Sequence, residues 1–161
     1  MQTVTVAIAD TDPGRRTKLE QFLQGGPGIQ VLTDVMSHRD HISAGNESEP
    51  HKTPVSSEDV IARITQLRSR ILFVNLDLSI ERECALLEAL HRTCPETLVL
   101  LLTDKSVQEE QIIRGLANGA RGCLSHEADP FYFLKAVRVV DRGEIWVTRG
   151  MLGKIMDRVL H

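Results

Sequence analysis

Ile71-Leu72-Phe73-Val74-Asn75-Leu76-Asp77-Leu78-Ser79 is the stretch that decides how this chain folds. Its first four residues are an unbroken apolar run, the length of a strand buried on both faces and short for a helix. A central strand of an α/β sheet has this character, and such sheets carry their chemistry in the crevice beyond the carboxyl ends of the strands. Asn75 and Asp77 fall there, so the reading turns on which of the two occupies the crevice.

Leu98-Val99-Leu100-Leu101-Leu102 is a second run of the same kind, delivering Thr103 to its carboxyl end. Thr3 to Ala9 reads as a strand that stops at Asp10-Thr11-Asp12-Pro13. Asp12 caps a helix from Pro13 to Gln24, with Leu19, Phe22 and Leu23 inward and Gly25-Gly26-Pro27-Gly28 after it. Ile29 to Val35 is a second strand, and Gly122 to Ser125 a short fifth one ending at His126. Helices are expected over Glu58–Ser69 (capped by Ser57), Arg82–Thr93, Val107–Asn118 and Pro130–Arg142 (capped by Asp129). Their apolar residues recur at helical spacing, as at Leu86, Leu87 and Leu90. Strands alternating with helices imply a doubly wound parallel sheet joined by right-handed crossovers and covered on both faces.

Residues 37–56 break the pattern with two prolines and many small polar groups, and read as a long loop inserted into a single domain. His38, His41 and His51 lie in it without the spacing of a metal site. The domain proper is expected over residues 1–143, with 144–161 a linker and C-terminal helix whose apolar residues Leu152, Ile155, Met156 and Val159 form one stripe. With 161 residues and 42% hydrophobic content the chain can bury a core unaided. Three cysteines, Cys84, Cys94 and Cys123, are odd in number and without metal-like spacing, so reduced thiols in a cytoplasmic protein are expected. Neither a leader peptide nor a membrane-spanning segment is read from the sequence. A net charge of -3 gives no field for gripping a phosphate backbone, so direct nucleic-acid binding by this segment is not expected.

The residues gathered at the strand ends, Asp10 to Asp12, Asn75 to Asp77, Thr103 and His126, resemble the pocket of a response-regulator receiver domain of the NarL/FixJ (LuxR-type) branch. IADTDPGRR (8–16) is similar to that branch's first strand and turn. LTDKSVQEEQIIRGLANGARGCL (102–124) is similar to its fourth strand through its fifth, and RGEIWVT (142–148) to its exit into a linker. The resemblance implies a flavodoxin-like (CheY-like) fold with strand order 2-1-3-4-5. It also implies a role in two-component, phosphorelay signal transduction and transcription regulation, with no enzymatic activity.

In that family an aspartate ending strand three accepts a phosphoryl group, and an acidic pair after strand one helps to bind Mg²⁺. A Thr or Ser follows strand four, a Lys follows strand five, and an aromatic switch residue stands three positions before that Lys. Asp10 matches one acid and Thr103 the hydroxyl. Thr11 stands at the second acid, Asn75 at the acceptor, His126 at the lysine and Cys123 at the switch. Taking Asp77 as the acceptor would carry charged Glu88 to an inner helix position, so Asn75 is the preferred register.

An amide has no anionic oxygen to attack phosphorus, and losing carboxylates weakens a site for a hard cation. Neutral imidazole is a poor substitute for a permanent ammonium. The expectation is a degenerate pseudo-receiver in which Mg²⁺ binding is weak or lost, with Asp10 a remnant ligand at most. It would work by contact with a protein partner or as a homodimer through the face of helix four, strand five and helix five. A conventional Mg²⁺-dependent acceptor at Asp77, or a small-ligand sensor in the vacated pocket, are the alternatives.

Overall fold

The computed structural model describes residues 3–10, 12–32, 57–75, 80–104 and 108–160. Thr11, Asp77 and the 37–56 segment with its three histidines lie outside the described residues. The strands are β1 (Val4–Ala9), β2 (Ile29–Leu32), β3 (Ile71–Asn75), β4 (Leu98–Thr103) and β5 (Gly122–Ser125). The helices are α1 (Pro13–Gln24), α2 (Ser57–Leu67), α3 (Ile80–Thr93), α4 (Glu109–Ala117), α5 (Pro130–Asp141) and α6 (Arg149–Leu160). All strand pairings are parallel, in the order β2-β1-β3-β4-β5. That is the doubly wound arrangement expected from the alternation of strands and helices.

Element ends shift by one or two residues, as fraying ends do; residues 33–35, expected to complete β2, lie outside the described residues. α2 starts at Ser57, the residue expected to cap it, and α3 starts two residues before Arg82. Pro13 opens α1 and Asp12 caps it, its carboxylate accepting from the backbone N–H of Gly14 and Arg15.

Side chains alternate across the sheet and divide the core in two. Ala7, Ala9, Leu72, Val74, Val99 and Leu101 pack with Ile64 of α2 and with Leu86, Leu87 and Leu90 of α3. Val6, Ile8, Ile71, Phe73, Leu100 and Leu102 pack on the other face with Leu19 and Leu23 of α1 and Phe133, Val137 and Val140 of α5. Every residue of β3 and β4 is buried, which is why both read as continuous apolar runs. Burying a Leu or Phe side chain in such a layer is worth ~1.5–3 kcal/mol, and many together outweigh the entropy of ordering the chain.

The segment after α5 does not leave the domain. Trp146 forms a parallel bridge with Gly122 at the edge of β5. Its N–H donates to the Arg121 carbonyl at 2.9 Å, and its carbonyl accepts from the Cys123 N–H at 3.1 Å. The Trp146 ring lies 6.3 Å from that of Tyr132 on α5. α6 then seats on α4, with Met151 buried and Lys154 paired with Glu109. Part of the segment expected to be a linker and C-terminal helix thus pairs at one point with the β5 edge of the sheet, where unpaired backbone groups would otherwise invite another strand.

Candidate functional site

β1 and β3 are adjacent, with Ala9 paired to Val74, so their carboxyl ends place Asp10 and Asn75 side by side. Both are 1% exposed. β4 supplies Thr103 next to them, and the turn after β5 supplies His126, whose N–H donates to the Thr103 carbonyl at 2.9 Å. The structure therefore brings together Asp10, Asn75, Thr103 and His126.

Asp10 is a buried carboxylate that already holds a cation. Arg15, one turn into α1, donates from Nε to Oδ2 at 3.2 Å and from Nη2 to Oδ1 at 3.0 Å, a two-pronged ion pair. The Asp12 N–H adds a bond to Oδ1 at 2.9 Å, and Arg16 Nη1 donates to the Asp10 carbonyl at 3.0 Å. Sequence reasoning did not find this clamp. Its only signal was the Arg15-Arg16 pair at the start of a helix whose cap lies two residues beyond Asp10. Asp12 is exposed, and the backbone N–H of Arg15 is the largest influence holding its carboxyl below the ordinary value.

Asn75 Oδ1 lies 2.8 Å from His126 Nε2. An amide oxygen only accepts, so Nε2 carries the proton in this pairing, whether the ring is neutral or charged. The Asn75 Nδ2 is buried with no partner among the described residues. Thr103 Oγ1 donates a long, weak bond to the Leu124 carbonyl at 3.5 Å. Cys123 is half-buried against the α2–α3–α4 side of the core, and loss of hydration pushes its thiol up to about 11.

Among the described residues the donor set does not suit Mg²⁺. That ion takes carboxylate and water oxygens, yet both oxygens of Asp10 are occupied by the guanidinium and Asn75 is neutral. Among the described residues, no group of three His, Cys, Asp or Glu side chains is placed to hold a metal ion. No described helix is long and apolar enough to cross a membrane. Beside the crevice, α1 and the β5–α5 turn enclose a cleft of about 230 Å³, with Arg15, Lys18 and His126 on its walls.

Comparison with solved structures places this fold among response-regulator receivers. The isolated receiver domain of RcsB from Salmonella enterica serovar Typhimurium superposes with a TM-score of 0.71 at 14% identity, covering 96% of this chain and 99% of that one. A LuxR-family two-component response regulator from an Aurantimonas species gives 0.70 at 13% identity, over 99% and 100% of the two chains. A LuxR-family DNA-binding response regulator from Silicibacter pomeroyi gives 0.63 at 21%, over 91% and 98%. No protein-family model matches the sequence. No curated protein matches it. The chain has the receiver fold of NarL/LuxR-family response regulators, at a sequence distance where the fold is what is shared.

Proposed function

We propose that this chain, built on the receiver fold, is a signal-transduction regulatory domain that works without aspartyl phosphorylation. The observation that carries the reading is the pair of contacts in the crevice. The residue ending β3 is an amide bonded to His126, and the buried acid beside it is clamped by Arg15. A receiver needs an anionic oxygen at the first position to attack phosphorus and a divalent cation at the second to gather the phosphoryl oxygens. Here the cation is a permanently charged side chain of the protein itself, held one turn into α1. On this reading Asn75, Thr11, His126 and Cys123 stand at the acceptor, second-acid, lysine and switch positions of a degenerate pocket.

Its output is contact with a protein partner or a second copy on the side formed by α4, β5 and α5, in a cytoplasmic setting, with an attached or separate DNA-binding module as the regulated element. Phe131 and Tyr132 are exposed there at the start of α5, and α6 extends the same side with exposed Leu152 and Met156. Exposed apolar side chains on these two elements support association there.

The test is intact mass after incubation with acetyl phosphate and Mg²⁺. Neither wild type nor Asn75→Asp gains a phosphoryl adduct, because restoring one carboxylate leaves Arg15 on Asp10. A wild-type adduct that disappears in Asp77→Asn would move the acceptor to Asp77 and overturn the reading.

A further inference from the structure

We propose that the cleft between α1 and the β5–α5 turn binds a small organic carboxylate, an anionic head on an apolar body. Arg15 and Lys18 are three residues apart on α1 and so share one face of the helix, turned toward the cleft, and His126 lines it from the β5 side. Below these polar groups the lining is apolar, formed by Leu19, Phe22 and Phe133. Leu19 and Phe133 are buried, and the Phe22 and Phe133 rings stand 6.4 Å apart, so the floor is already packed.

Lys18 marks where the two halves meet. Its Nζ lies 5.8 Å from the centre of the Phe22 ring, a cation held at the rim of an aromatic wall. Arg15 has one edge committed to Asp10, so Lys18 supplies the principal charge-assisted bond to an incoming anion. Glu127 is the one acid among the described lining residues.

The floor offers no partner to a second charge, which disfavours a dicarboxylate that would place one there. The volume lies below the ~300–1,000 Å³ typical of sites for drug-sized ligands, which points to a molecule the size of an aryl-acetate. His126 both lines the cleft and holds Asn75, so an occupant bears directly on the crevice without any phosphoryl transfer. Binding in the cleft does not require the crevice to be inert.

Phenylacetate, phenylacetamide and acetate serve as probes in amide NMR titrations of the full chain. Phenylacetate is expected to shift amides of α1 and residues 126–133 saturably. Phenylacetamide, lacking the charge, and acetate, lacking the apolar body, are each expected to bind at least about tenfold more weakly. Lys18→Gln lowers phenylacetate affinity about tenfold and Lys18→Arg retains most of it. Equal responses to phenylacetate and phenylacetamide, shifts confined to other regions, no saturable shift, or an unchanged Lys18→Gln would each overturn the proposal. A phosphoryl adduct on the wild type would sink the proposed function and leave these titrations untouched.

Discussion

Gly122→Ala tests whether the segment after α5 is part of the folded domain. A Cβ at residue 122 would lie 2.3 Å from the Trp146 carbonyl oxygen, 2.9 Å from the Trp146 Cβ and 3.0 Å from a Leu100 methyl. The two closest atoms belong to the Trp146 segment and cannot rotate away, so that segment must lift. Lifting it breaks the Trp146 N–H bond to Arg121 and the Cys123 N–H bond to Trp146. At ~1 kcal/mol for each bond, with ~1 kcal/mol for residual crowding against Leu100, the loss is about 3 kcal/mol. For a domain of this size that lowers Tm by roughly 6–12 °C.

Trp146 is the only tryptophan in the chain, so its emission reports the same event. Urea unfolding followed by fluorescence should show a lower midpoint together with a red-shifted native spectrum. Gly119→Ala is the control, with φ at +112° and nothing within 4 Å of the added carbon. It should cost ~1–2 kcal/mol through backbone strain and leave the native spectrum unchanged. A Gly122→Ala protein with wild-type stability and emission would refute the placement of Trp146 on β5.

Further outcomes concern Arg15 and Cys123. Arg15→Gln leaves the Asp10 carboxylate buried without its cation. Because Arg15 is 31% exposed, the ~3–5 kcal/mol of a broken buried pair is discounted to ~1–3 kcal/mol, read from urea midpoints. Millimolar Mg²⁺ should then raise the Tm of the variant more than that of wild type. Cys123, with its thiol at about 11 against an ordinary 9.0, holds about a hundredfold less thiolate at pH 8 and should alkylate correspondingly slowly in peptide-resolved iodoacetamide kinetics. The unfolded thiol loses its proton first, so this group's contribution to stability is complete below about pH 9 and declines as pH rises toward about 11.

The central sheet was legible because β3 and β4 are covered on both faces, which forces an apolar residue at every position from Ile71 to Val74 and Leu98 to Leu102. α1 was legible from chemistry at its ends, Asp12 and Pro13 before it and glycines after it. The gathering of Asp10, Asn75, Thr103 and His126 followed from topology, because parallel strands deliver their carboxyl ends to one edge. The Arg15 clamp was not legible, since a guanidinium five residues from an acid is an ordinary surface pattern until the helix start fixes its direction. The role of Trp146 was missed for a different reason. Ile145-Trp146-Val147 has the β-branched and aromatic character of a strand, but its single bridge is too short to show as a periodic pattern.

The seating of α6 on α4 has a practical consequence. Thr148 anchors its first turn, with its Oγ1 accepting from the Met151 N–H at 3.1 Å, while Met151 and Lys154 hold the helix to the domain. A rigid label fixed to the outward positions 152 or 156 therefore rides on α4 as a lever rides on its axle. A matching label on α1 would turn any rearrangement between those helices into a distance that can be read without disturbing the crevice.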